Sequence, residues 1–176
     1  MDLRFKNERV LLRALEPEDI DFLYMSENSA DLWGLSELPV FLSKFVLKEY
    51  IREAHRDVFE AKQCRLVIVD AGNPEKTVGL VDLFELDFFH LRAGVGILLR
   101  EECRGRGYAS AALSLMEDYA FSLLKMRQLF CHIAVSNKES LRLFEGAGFS
   151  VSGRKKDWVR KGEGFEDVWF LQKVKG

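Results

Sequence analysis

Arg104-Gly105-Arg106-Gly107 alternates cations with bare backbone. The four residues follow the apolar run Gly96-Ile97-Leu98-Leu99 and precede a long amphipathic stretch, so they fall where a strand hands over to a helix. Glycine lets the main chain approach an anion with no Cβ in the way. Successive N–H groups at a helix start then face the charge, and arginines add charge-assisted hydrogen bonds. The chemistry this supports is the seating of a diphosphate. A mononucleotide loop does not fit, because it needs Gly-Lys followed by Ser or Thr. A dinucleotide fingerprint needs a third glycine where Ser110 stands, and an acid ending the strand at 129–135, where there is none. Two readings stay open on the loop alone: a diphosphate cradle that opens a helix directly, and a plain strand-to-helix turn with solvated arginines.

Other reactive side chains form no such pattern. Cys64, Cys103 and Cys131 are odd in number and widely spaced, which suits neither a disulfide framework nor a zinc site. His55, His90 and His132 are scattered and read as ordinary core or surface residues. No metal site is expected. With 176 residues, 48% of them hydrophobic, the chain suits one domain over 1–176. A net charge of −2 demands neither nucleic acid nor a membrane. No apolar run approaches the roughly 20 residues of a spanning helix, and the start MDLRFKNERV is not a signal peptide. A cytoplasmic location is expected.

The elements that position the loop follow from periodicity. Strands are expected at 10–15, 65–70, 77–87, 91–99, 128–135, 151–160 and 166–173. Glu16-Pro17-Glu18-Asp19 starts a helix, with proline in the first turn and acids at the positive end of the dipole. A second helical region covers 42–61. A third, at about 107–125, turns Ala109, Ala112, Leu113, Met116, Tyr119, Ala120 and Leu123 onto a sheet. Ser136-Asn137-Lys138-Glu139 reads as a capping box, with Ser136 opening a helix that stops at Gly146.

Arg104-Gly105-Arg106-Gly107-Tyr108-Ala109 resembles the acetyl-CoA loop of the GCN5-related N-acetyltransferases, the GNAT family, whose pattern is Gln/Arg-x-x-Gly-x-Gly/Ala. Asn137 to Phe149, NKESLRLFEGAGF, is similar to the family's second signature, an asparagine opening a helix that ends in a Gly-Phe turn. Gly79 to Leu86 and His90-Leu91-Arg92-Ala93 resemble its spermidine-acetylating and ribosomal-protein-acetylating members. The resemblance implies an α/β (α+β) fold: a mixed, mostly antiparallel sheet with helices on both faces, whose central parallel strands, 91–99 and 128–135, splay apart. It implies acetyl-CoA as cosubstrate, its pantetheine arm meeting backbone at Ile97, Leu98 and Leu99. The diphosphate would lie on Arg104, Gly105, Arg106, Gly107, Tyr108, Ala109 and Ser110. Asn137, Ser140 and Phe144 would line the other wall.

Acetyl transfer to an amine needs a proton acceptor, an oxyanion donor and help for the departing thiolate. A backbone N–H near Leu98 is the expected oxyanion donor. Asp82 and Glu85 are the expected proton acceptors, with Glu85 favoured because it matches a carboxylate of the spermidine enzymes. Three residues apart, they face opposite ways on a regular strand unless a bulge intervenes. The family often has a tyrosine as acid where this chain has Phe144, which has no proton to give. Water, Ser140 or Tyr108 are the substitutes, or else turnover is slow or lost.

The stretch from 16 to 37 holds seven acids and no lysine or arginine, and the family uses it to wall the acceptor site. One-sign segments attract cations, and Tyr24, Trp33 and Phe41 add ring faces for an ammonium. Trp33, Glu37, Glu85 and Gly94 are the expected substrate contacts. Gly94 stands where the spermidine enzymes carry a glutamate, and a divalent ion on Glu85 or Glu37 is not required. The expected acceptor is a cationic primary amine, a polyamine or a protein N-terminus, and self-association is allowed. Two rival readings are a CoA-binding regulator without turnover and an RNA-associated module built on Arg154-Lys155-Lys156.

Overall fold

The computed structural model describes residues 5–29, 41–54 and 56–176. The described residues form strands β1 (Val10–Arg13), β2 (Cys64–Asp70), β3 (Asn73–Asp87), β4 (Arg92–Leu99), β5 (Gln128–Ala134), β6 (Ser150–Lys161) and β7 (Gly164–Val174). Helices α1 (Ile20–Glu27), α2 (Lys44–Glu53), α3 (Val58–Ala61), α4 (Tyr108–Asp118) and α5 (Lys138–Gly146) are interleaved with them. The strands make one sheet in the order β1-β2-β3-β4-β5-β7-β6. Each adjacent pair is antiparallel except β4 and β5. A parallel pair needs a crossover, and α4 supplies it.

Period-two alternation gives the sheet two unlike faces. On β5, Leu129, Cys131 and Ile133 enter the core beneath α4 and α5, together with Leu113, Met116, Phe144 and Phe149. Phe130 and His132 point to the opposite face. There Leu23 of α1 and Leu47 and Ile51 of α2 pack on Val67, Val69 and Leu80. Each such side chain contributes about 1.5–3 kcal/mol by leaving water. The two helix layers therefore pin the sheet from both sides, as expected. On the α1 face, the surface formed by β4, β5 and β7 carries a pocket instead.

The bulge on which a shared face for the two carboxylates depended is present. Phe84 pairs with Gly94, but Asp87 pairs with Arg92, so β3 carries one extra residue. Glu85 absorbs it in the left-handed region, at φ 48°. Leu83 and Leu86 consequently both reach the α4 core. Asp82, Phe84, Glu85 and Asp87 are left on the α1 face.

Three local expectations are corrected. The helical region 42–61 is two helices: α2 ends at Glu53, and the Asp57 side chain caps α3 by accepting from the Phe59 N–H. The helix expected to run to 125 turns from α to π geometry at Tyr119, and Leu124 N–H donates to Tyr119 O. Asn137, not Ser136, caps α5, its Oδ1 accepting from Ser140 N–H at 3.1 Å. Ser136 is held elsewhere, its N–H on Glu166 and its hydroxyl accepting from Lys161. The acidic start at Glu16 does form a reciprocal box with Asp19, which leads through a 3-10 turn into α1.

Candidate active site

β4 and β5 pair over only three rungs, Arg92 with Gln128, Ala93 with Leu129 and Gly94 with Phe130. Beyond Gly94 the two strands part. On its other edge β4 stays paired with β3 up to Leu99 opposite Gly79, and Arg100 N–H donates to Val78 O. Backbone groups alternate sides along an antiparallel strand. This bond therefore turns Leu98 and Gly96 toward β3, and Ile97 and Leu99 toward the gap. Gly79 is needed there, because a Cβ would collide with the Leu98 carbonyl. The N–H groups that face the gap accordingly belong to Ile97 and Leu99, the two neighbours of Leu98.

The glycine loop stands at the mouth of this gap. Gly105 (φ 70°) and Gly107 (φ 78°) are both left-handed, a conformation that costs glycine little. Nothing lies within 4 Å of where a Gly105 Cβ would be. Gly107 is the N-cap of α4 and offers no side-chain cap. Ala111 is the first residue to bond back, onto Gly107 O. The earlier N–H groups, of Tyr108, Ala109 and Ser110, are the ones a helix leaves for an outside acceptor. Ser110 turns its hydroxyl back onto Gly107 O at 3.1 Å, away from that task.

Across the gap, α5 opens shortly after β5, with Asn137 and Ser140 in its first turn. Phe144 is only 3% exposed and packs edge-on against Phe149 at 5.1 Å. Its ring belongs to the core under α5. Tyr108 is no substitute acid. Its hydroxyl donates to Asp70 Oδ2 at 2.6 Å, at the β1–β2 edge of the sheet. That hydrogen bond, with burial, holds the phenol above its ordinary range.

On the α1 face lies a pocket of about 530 Å³. Phe130, His132 and Phe170 form its aromatic wall, Gln128 and Gln172 its floor, and Glu85, Asp87, Arg92 and Lys155 its charged rim. The rings pack among themselves, His132 on Phe130 at 5.6 Å and on Phe170 at 5.3 Å, and Phe84 meets Phe130 edge-on at 5.8 Å. Arg92 is paired with Asp87 at 3.2 Å, while Glu85 is exposed. This wall was missed in the sequence. The signal was there, since Gln128, Phe130 and His132 alternate with Leu129, Cys131 and Ile133.

Asp82 lies between this pocket and the helices. Arg65 bridges it to α1, with Nε 3.2 Å from Asp82 and Nη1 2.6 Å from Glu27, and lies over the Tyr50 ring. Burial pushes the Asp82 carboxyl above the usual carboxylate range, against the pull of Arg65. Register separates the two candidate acceptors. Asp82 is opposite Gly96, one residue from Ile97. Glu85 sits beside Ala93 and Gly94, about 7–10 Å further down at about 3.3 Å per residue. Gly94 itself is not an open contact, because the Phe84 ring fills the space where its side chain would be. Trp33 and Glu37 lie outside the described residues.

The basic hairpin is largely engaged with itself. Arg154 pairs with Asp167 and stacks on Trp169, Lys155 lies over Trp158, and Lys161 pairs with Glu166. Among the described residues no helix is long and apolar enough to cross a membrane.

A sheet opened beside its central parallel pair, with bare helix-start amides at the mouth of the opening, defines an acyltransferase that works from acetyl-CoA. The chain belongs to the GNAT family: residues 9–150 match the acetyltransferase (GNAT) domain. It is similar to spermidine N(1)-acetyltransferase of Vibrio cholerae, 28% identical over 147 residues, covering 84% of this chain and 82% of that one. The Escherichia coli K12 enzyme of the same name is 28% identical, with 82% and 74% covered. The crystal structure of the Vibrio cholerae enzyme with CoA and spermine superposes with a TM-score of 0.84 at 28% identity, covering 96% of each chain. The protein is an N-acetyltransferase.

Proposed function

We propose that the protein acetylates a primary amine of a polyamine. Pantetheine enters between β4 and β5 and bonds to the backbone at 97–99. The diphosphate rests on the N–H groups between Gly105 and Ser110, with Arg104 and Arg106 beside it. The amine arrives from the α1 face. There the Phe130, His132 and Phe170 rings suit a methylene chain, and Glu85 suits a distal ammonium. Asp82, directly or through one water, takes the proton of the reacting amine. The freed nitrogen attacks the thioester carbon, an N–H at Ile97 or Leu99 steadies the oxyanion, and the C–S bond breaks. The nitrogen sheds its second proton as the amide forms, and the thiolate takes that proton up through water; a thiol pKa of about 8.5 makes sulfur a tolerable leaving group.

The observation that carries this reading is the coincidence, on one face, of the parted strands and a pocket that joins carboxylates to rings. The relatives named for spermidine support the acceptor class. A cytoplasmic setting agrees with three free cysteines, of which Cys103 and Cys131 are buried. The exposed rings of Phe45 and Phe89 offer apolar surface for self-association. The test is acetyl transfer to a panel of spermidine, spermine, basic peptides with free N-termini and aminoglycosides. Spermidine or spermine should exceed the others by about tenfold in kcat/KM, about 1.4 kcal/mol of transition-state binding. A peptide N-terminus in first place overturns the proposal.

A further inference from the structure

The turn before β1 straps the junction of the glycine loop and α4. Asn7 Oδ1 accepts from Arg9 N–H at 3.0 Å and from Val10 N–H at 2.9 Å. Asn7 Nδ2 donates to Ala111 O, inside α4, at 3.0 Å. From that fixed base Arg9 Nη1 donates to Arg106 O at 2.7 Å. Its Nε lies 3.3 Å from where a Gly107 Cβ would be, so the guanidinium packs against the bare side of the loop.

A trans peptide points its C=O and its N–H in opposite directions. Arg9 draws the Arg106 carbonyl toward β1. The same peptide therefore aims the Gly107 N–H the other way, toward the mouth of the gap. Without that bond the unit linking Arg106 to Gly107 is free to turn over, since Gly107 tolerates both signs of φ. The Arg106 oxygen would then face the phosphates.

We propose that Arg9 is a positioning residue for the cosubstrate, holding the Arg106–Gly107 peptide in the orientation that presents its N–H to the diphosphate. This rests on the reading that residues 104–110 seat the diphosphate. Asp70 assists by fixing the Tyr108 hydroxyl, so the first residue of α4 and the loop before it are tied to the same edge of the sheet. Neither Arg9 nor Asn7 belongs to either sequence motif, and the strap joins residues 97 positions apart in the chain.

The experiment compares acetyl-CoA with S-acetylpantetheine, a donor with the same thioester and no diphosphate. Arg9→Ala should raise KM for acetyl-CoA about tenfold, the size of one charge-assisted hydrogen bond. It should leave kcat, the amine KM and the kcat/KM for S-acetylpantetheine within about twofold of the parent. Arg9→Lys, which keeps a charged donor, should recover most of the affinity. Equal losses with both donors, or no change with either, overturn the proposal. Ser110→Glu tests the seat itself by adding a negative charge to the first turn of α4. If Ser110→Glu selectively weakens acetyl-CoA while Arg9→Ala is silent, the strap is wrong and the seat stands. If Ser110→Glu leaves acetyl-CoA use intact, the seat is wrong.

Discussion

The carboxylate of Asp82 lies across the bare face of Gly96, where a methyl group would stand 3.2 Å from Oδ2. That proximity brings the carboxylate within one residue of the backbone that faces the strand gap. Glycine at 96 leaves room for the carboxylate. The Arg65 guanidinium keeps the group from swinging away, and Glu27 holds Arg65 from the other side.

Asp82→Asn should lower kcat by about 10²–10⁴-fold, the usual worth of a positioned base, while Glu85→Gln chiefly raises the amine KM. Burial lifts the Asp82 pKa above its ordinary value, and the group accepts a proton only when ionised. Activity should therefore climb with pH through that raised pKa. The asparagine variant should lose this limb and keep the slower rise due to the amine's own deprotonation. Rate–pH profiles of the two variants check the assignment, and an unaltered acid limb in Asp82→Asn would falsify it.

Phe144→Tyr should not lower turnover, because no acid function is there to be lost, and a hydroxyl that reached the sulfur would raise it. The ring is buried against Phe149, so a hydroxyl left without a partner should cost about 1–3 kcal/mol of stability. Thermal melts and kcat measured on the same preparation separate the two effects. A tenfold fall in kcat with an unchanged melt would show that the ring has a catalytic task.

Asp19 should govern stability in acid. It is 5% exposed and accepts two hydrogen bonds from Arg13, at 2.7 and 2.8 Å, and one from Glu16 N–H. Burial works to raise its pKa, but these bonds outweigh it and the folded value is lowered. A lowered carboxyl stabilises the fold fully above its unfolded value of about 3.9, and the contribution is lost as pH falls through the folded value. Asp19→Asn should therefore be less stable than the parent at pH 7, with the gap closing below about pH 4. Denaturation midpoints at the two pH values measure this.

How much of this was legible in the sequence depends on the range of the interaction. The strands were readable from alternation and the loop from its glycines, both local signals, whereas the parting of the sheet was expected only from the family resemblance that the two motifs carry. The Glu85 bulge was stated only as a condition, since φ 48° at a glutamate is imposed by the pairing of its neighbours with β4. The end of the 42–61 helix at Glu53 was missed because Asp57 competes for the backbone as a cap, and helical spacing does not reveal it. Arg9, Arg65 and the ring wall of the pocket depend on which strands lie side by side. Phe130 and Phe170 meet only because β7 runs antiparallel to β5, and no window of sequence contains both.

The three rungs joining β4 to β5 carry a mechanical consequence. The block from β1 to β4 and the block from β5 to β7 are stitched at one end only, as in a half-closed zip, with α4 as the bridge. A pantetheine lying in the opening, as proposed, would complete the seam. By mass action it would add about 2.7 kcal/mol of stability at a hundredfold excess over Kd. Amide exchange at Ile97 and Leu99 should slow together with that gain, so the cell's supply of acetyl donor would also set how stiff its catalyst is.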